Sequence, residues 1–259
     1  MAFKKNVNVI KILALLVFLV GLWCPLFGQQ KLWFPWNKEP TNLQVLPEGT
    51  DGLKLRDFMG MFVRDLGVKC TFCHDDSKAK SFEEINFASD AKKNKKIARE
   101  MYKMLVSINK NSMPSINKLT GKNEQLRCFN CHHGTPDPRS IQAILEEEYT
   151  RNGIEAAIDK FRKLRDKYYT SSSYDFRQRT LNRFGYVLLR RKNIGDAIKI
   201  FMLNVSYFPE NGNAYDSLAE AYMKKGENEI AIVYYQKSIT LDPTNDNAVK
   251  MLEKLKKME

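Results

Sequence analysis

A chain of 259 residues, 43% of them hydrophobic and 11% aromatic, holds enough apolar material for two modest domains with packed cores, which excludes a chain without an interior. Its 42 Lys and Arg against 30 Asp and Glu give a formal net charge of +12. The first residues already exclude nucleic acid as the partner of that charge, because they read as an export segment.

Lys4, Lys5 and Lys11 precede an apolar run at residues 12–22, followed by Cys24-Pro25 and by Phe27-Gly28 before a polar pair. This is the order of a signal peptide, with a small residue where cleavage would fall. The run is short of the roughly 20 apolar residues of a membrane span, although Trp23, Leu26 and Phe27 extend it far enough for a retained anchor. Residues 1–28 are therefore expected to be a signal or an N-terminal anchor. Cys24 fits a lipobox poorly, since Leu22 and Trp23 stand where small residues belong. Either way the body of the chain is expected in the periplasm or on the outer face of the cytoplasmic membrane.

Apolar residues at Leu55, Phe58, Met59, Phe62 and Leu66 form one stripe of a predicted helix over 53–66, with Asp51 as N-cap and Gly67 as its end. Directly after it comes Cys70-Thr71-Phe72-Cys73-His74. The basic run at 92–96 reads as the solvated face of a second helix over 90–109, or as an electrostatic partner site. Ile97, Met101, Met104, Leu105 and Ile108 share the other face. A second pentad, Cys128-Phe129-Asn130-Cys131-His132, follows, then His133.

The remaining half repeats itself. Residues 179–210 and 213–244 match at an offset of 34, pairing Gly185 with Ala219, Leu188 with Tyr222, Ala197 with Ala231, Phe201 with Tyr235 and Pro209 with Pro243. That is the period of the tetratricopeptide repeat, whose helical hairpins stack and present a concave protein-binding surface. A weaker unit spans 141–169, and 245–258 reads as the closing helix. With about three hairpins, packing chiefly against the domain before it is the alternative use of the array.

Two thiols three residues apart can add to the two vinyl groups of one porphyrin, and the following His lies under the ring as an iron ligand. Cys70, Cys73, Cys128 and Cys131 are thus predicted to hold two covalent c-type haems, with His74 and His132 on the irons. Paired cysteines also describe a zinc ribbon. That site needs no His, and its spacer is about 15–20 residues, shorter than the stretch between Cys73 and Cys128. Disulfides are the other ordinary use of exported cysteines. Two haems would remove roughly four positive charges through their propionates. Each iron needs a sixth ligand, and thioether sulfur is the usual one in an electron-transfer cytochrome. A helical Met on an apolar face is ordinarily core filler. Met59 lies on its stripe and Met61 does not. Periodicity does not separate Met101 from Met104, and His133 reads as a loop or propionate-contacting residue.

The segments Asn42-Leu43-Gln44-Val45-Leu46-Pro47, Leu66-Gly67-Val68-Lys69 with the first pentad, Asn86-Phe87-Ala88-Ser89-Asp90, Ile97-Ala98-Arg99-Glu100-Met101-Tyr102-Lys103-Met104, and the second pentad with His133-Gly134 resemble the cytochrome c subunit of photosynthetic reaction centres over about residues 40–139. In that family each haem unit is a helix, a turn and a CxxCH stretch, with the sixth ligand on the preceding helix. The resemblance supports Met59 and favours Met101, with Met104 as the alternative. Two haem units stand here where the photosynthetic subunit has four.

The expected fold is all-α: a dihaem cytochrome domain over 29–139, a Pro-containing junction at 134–139, and a tetratricopeptide domain over 140–259. The expected function is non-enzymatic one-electron transfer between a membrane redox complex, such as a photosynthetic reaction centre, and another redox protein, with the repeats as docking module. A peroxidase-type haem enzyme, which needs an open iron position, and an adaptor with structural haem are the alternatives.

Overall fold

The computed structural model describes residues 39–257, so the segment read as a signal or anchor, with Cys24, lies outside the described residues. Within them the chain is all helical, with no strand and one isolated bridge between Asp75 and Asn86. No described helix is long and apolar enough to cross a membrane.

Helix α1 (Gly52–Leu66) starts where the Asp51 carboxylate accepts the Lys54 N–H at 2.8 Å. It ends at Gly67, whose φ of 60° is left-handed. A Cβ at Gly67 would sit 2.1 Å from the Gly134 carbonyl oxygen, so the turn after α1 is pressed against the chain that follows the second pentad. Helix α2 (Lys93–Asn111) begins three residues later than its sequence pattern suggests. The cause is Asp90, whose carboxylate is taken by Asn42, Lys95 and Arg99 in the turn before it. Tyr102 of α2 is buried against Phe58 and Phe62 of α1, with ring centroids 6.1 and 6.0 Å apart. Part of the stripe on its other face turns outward: Ile97, Met101 and Met104 are 47%, 37% and 48% exposed. Helix α3 (Met113–Thr120), with Pro114 in its first turn, escaped the sequence reading. The short α4 (Phe129–His132) is the second pentad itself.

A long helical element, α5 (Ile141–Tyr168), is broken at Gly153 by φ 81° and ψ −175°, and so is a hairpin rather than a rod. The following helices are α6 (Gln178–Arg190), α7 (Ile194–Tyr207), α8 (Gly212–Lys225), α9 (Asn228–Leu241) and α10 (Asp246–Lys256). They pack as successive hairpins closed by α10, as the 34-residue offset predicts. Paired positions do the same work in each unit: Ala197 and Ala231, Phe201 and Tyr235, and Ala219 are all fully buried. The large buried apolar side chains concentrate here, with Phe161, Phe184, Leu188 and Phe201 each contributing about 1.5–3 kcal/mol by burial. Before Ile141 the buried apolar set among the described residues is only Leu66, Ile85, Tyr102 and Met113. The repeat half has its own core, and the cysteine-bearing half has a sparse one.

The hairpins leave no room at Gly185, where a Cβ would lie 2.4 Å from the buried Phe201 ring, whereas Gly195 faces open space. Gly185→Ala should lower unfolding stability by about 1–3 kcal/mol through overpacking, and Gly195→Ala should leave it unchanged or raise it by up to about 1 kcal/mol. Urea unfolding followed by circular dichroism checks both signs.

Candidate functional site

The two pentads fold alike. The Cys70 carbonyl accepts from Cys73 N–H at 3.2 Å and His74 N–H at 3.0 Å. The Cys128 carbonyl accepts from Cys131 N–H at 3.2 Å and His132 N–H at 2.9 Å. Each turn thereby gathers two thiols and an imidazole within one loop of chain. The ring of His74 meets the Phe87 carbonyl through Nδ1 at 3.1 Å, and that of His132 meets the Thr135 carbonyl through Nδ1 at 2.9 Å. A carbonyl only accepts, so Nδ1 carries the proton in both rings and Nε2 keeps its lone pair. An imidazole held in that tautomer by a backbone carbonyl is the form that ligates a metal through Nε2. Burial first, and then Lys95, lower the His74 pKa, which keeps the ring neutral.

Around the first pentad is a cavity of about 480 Å³. Cys70, Cys73 and His74 line it together with Met59, Leu55, Phe62 and Leu66 of α1 and with Phe87. Met59 is therefore brought to the same space as the first pentad, by the helical stripe that predicted it. The volume lies in the range of ordinary cofactor sites, about 300–1,000 Å³, and its wall is mostly apolar. Residues 39–46 close another side, with Asn42 donating to the Ala88 carbonyl and to Asp90.

The start of α2 clamps this loop, which corrects the reading of 92–96 as a solvated face. Lys92 Nζ donates to the Thr71 carbonyl and pairs with Asp76 at 2.6 Å. Asn94 donates to the Phe72 carbonyl at 3.1 Å. Lys95, its side chain 11% exposed, donates to the carbonyls of Phe87, Ala88 and Ser89 at 3.0, 3.0 and 2.9 Å. Asp90 answers it at 3.0 Å and holds Arg99 at 2.9 Å, and these donors keep its carboxyl far below the usual range.

The second pentad is built differently. His132 is buried, but Cys131 and Phe129 are exposed, and the exposed His133 stacks edge-on against Phe129. Met101 and Met104 both stay on the outward face of α2, so nothing in their exposure ranks one above the other. Asp65, at the end of α1, fastens this pentad. Its carboxylate is buried, pairs with Arg127 at 2.9 Å and accepts the Phe129 N–H at 3.3 Å, while its carbonyl accepts the Gly134 N–H at 3.1 Å. From the repeat side, Ser173 Oγ donates to the His133 carbonyl, and the Tyr174 hydroxyl bonds both Thr135 Oγ1 at 2.9 Å and the Asp137 carbonyl at 2.8 Å.

Cys70, Cys73, Cys128 and Cys131 are free thiols in this structure, and among the described residues no group of three or more His, Cys, Asp or Glu is gathered for a metal ion. Burial raises the Cys73 pKa, and burial followed by Asp65 raises that of Cys128, so neither is poised as a thiolate.

Comparison with known proteins places the two halves. Residues 78–193 match the family model "Photosynthetic reaction centre cytochrome C subunit", and residues 212–245 match a tetratricopeptide repeat. The chain thus resembles a reaction-centre cytochrome c subunit fused to tetratricopeptide repeats, as its motifs imply. The cytochrome match begins after His74, contains the second pentad, and runs past Arg139 through α5 and α6. That family implies covalently bound haem, and the repeats are a protein-interaction module. No curated protein matches. Similar solved structures include the first tetratricopeptide domain of Spaghetti (RPAP3) bound to an HSP90 peptide, 19% identical with a TM-score of 0.33, covering 46% of this chain and 89% of that one. The second such domain of human RPAP3, in complex with an HSP70 peptide, is 16% identical with a TM-score of 0.33 over 45% and 92%. MamA from Desulfovibrio magneticus is 19% identical with a TM-score of 0.33 over 63% and 84%.

Asp65 has no periodicity signal, since it stands beside the α1 stripe and its role appears only once α4 lies against it. Replacing it with Ala leaves the Phe129 N–H without its acceptor and Arg127 without its partner. Asp65→Ala should lower stability by about 1–3 kcal/mol, and hydrogen exchange should show the loss at residues 127–134 before it reaches the repeats.

Proposed function

We propose that this chain is an exported dihaem c-type cytochrome that carries single electrons between a membrane redox complex and another redox protein. The observation that carries the reading is the shared wall of one apolar cavity, where Met59, Cys70, Cys73 and His74 stand together. When bound, haem supplies an iron centre that takes up and gives back one electron. Cys70 and Cys73 would hold one haem by thioethers, and Cys128 and Cys131 the other. His74, through Nε2, and Met59 would ligate the first iron, and His132, through Nε2, with Met101, or else Met104, the second. The outward stripe of Ile97, Met101 and Met104 is apolar surface of the kind a porphyrin face covers, and the sparse core before Ile141 is consistent with a cofactor acting as its filling.

Met59 in the cavity favours electron transfer over peroxidase chemistry at the first site, because a thioether on the sixth position leaves no place for a substrate. The apolar run at 12–22 supports export to the periplasm or the outer membrane face. The first hairpin, α5, and the loop after it would belong with the cytochrome, since Ser173 and Tyr174 bond the chain just beyond the second pentad and the cytochrome match continues through α6. The remaining helices, α7 to α10, would then be the part free to dock a partner.

Met59→Leu keeps the apolar volume and removes the sulfur. The exported, haem-loaded protein should lose the Met-to-iron charge-transfer absorbance of one haem, whose potential falls while the other stays in place. The same change at Met101 should affect only the second haem. An unaltered spectrum in Met59→Leu would overturn the ligand assignment, and an effect from Met104→Leu instead of Met101→Leu would pass the second site to Met104.

A further inference from the structure

The two proximal histidines rest on carbonyls of unequal strength. The Phe87 carbonyl that accepts His74 Nδ1 at 3.1 Å also accepts the Lys95 ammonium at 3.0 Å. The Thr135 carbonyl that accepts His132 Nδ1 at 2.9 Å has no ammonium on it among the described residues. Instead, the Thr135 side chain is held by the Tyr174 hydroxyl, and the nearest fastening of that pentad is the carboxylate of Asp65 with Arg127. Lys95 is a buried side chain with three carbonyls and one carboxylate around it, so its place is built rather than incidental.

From this asymmetry, and resting on the dihaem reading above, we propose that Lys95 sets the haem of the first pentad at a higher reduction potential than that of the second. Two effects act in the same direction. A carbonyl already polarised by an ammonium pulls less on the imidazole N–H, so His74 gives less electron density to its metal through Nε2 than His132 does. A cation held in a low-dielectric site also favours the form of the centre with one more electron. Asp90 tempers the charge, but it is shared with Arg99, so the cluster of two cations and one carboxylate keeps a net positive charge beside the first site. An electron arriving at the second pentad would therefore settle on the first. Lys95 acts on His74 through the Phe87 carbonyl and is a positioning residue.

The test is an optical redox titration of the full-length haem-loaded protein, with the component of the first pentad identified in the Cys128→Ala, Cys131→Ala variant. In Lys95→Met that component should fall so that its reduction is about tenfold less favourable, about 59 mV for one electron, with the second component unmoved. Asp90→Asn keeps an acceptor for Asn42 but removes the compensating charge, and should move the same component upward. General loosening of the site would not raise it, so the opposite signs separate charge from damage. Lys95→Arg should restore much of the difference. No shift in either variant, shifts of the same sign, or a wild-type first component lying below the second would overturn the proposal. If Lys95→Met does not retain haem, the sign in Asp90→Asn decides alone. A wild-type protein with no haem on Cys70 and Cys73 would instead overturn the dihaem reading, which the haem count reports separately.

Discussion

The joint at the end of α1 is the interaction on which the arrangement depends. Within three residues the chain finishes a helix at Leu66, turns through the left-handed Gly67, and lays Asp65 under the second pentad. The Asp65 carboxylate holds Arg127 and the Phe129 N–H, its carbonyl holds the Gly134 N–H, and Gly67 touches the Gly134 carbonyl closely enough to exclude any Cβ. The same helix presents Met59 to the first cavity one to two turns earlier. One rigid element thus positions a side chain over the first pentad and anchors the backbone of the second. A helix end with buried, charge-assisted hydrogen bonds fixes the spacing of the two pentads better than a flexible linker.

A second constraint reaches in from the repeats. Tyr174 and Ser173, in the loop after α5, bond Thr135, Asp137 and His133 on the chain just beyond the second pentad. The carbonyl that orients His132 belongs to Thr135, so the loop supports the orientation of that imidazole through one residue. The Pro-containing stretch at 134–139, which reads as a junction between domains, is stitched to both sides. Among the described residues the first pentad has no such bond from the repeats and is instead clamped by Lys92, just before α2, and by Asn94 and Lys95 of α2.

Much of this was legible in the residues and the rest was not, for identifiable reasons. The helix bearing Met59 announced itself by its stripe, its Asp51 cap and its Gly67 stop, and the repeats by a period of 34 with small and aromatic residues in register. The pentads stand out by spacing alone, and both fold into the same turn. Asp65 and Lys95 were illegible because their importance is tertiary: a carboxylate beside a helical stripe and a lysine within a basic run look solvated until a distant carbonyl or N–H is placed against them. The stripe of Ile97, Met101 and Met104 was read correctly as one face, but periodicity does not say what covers a face, and the chain leaves it outward. The break at Gly153 was hidden by strong helical patterning on both sides, and α3 by its brevity.

Whether both pentads carry covalent haem, as proposed, is read from the intact mass of the denatured, purified protein, with digestion to locate any addition. The expected mass is the mature polypeptide plus two haems, one on the peptide bearing Cys70 and Cys73 and one on that bearing Cys128 and Cys131. A mass equal to the bare polypeptide, or a protein that carries zinc on those cysteines, would contradict it.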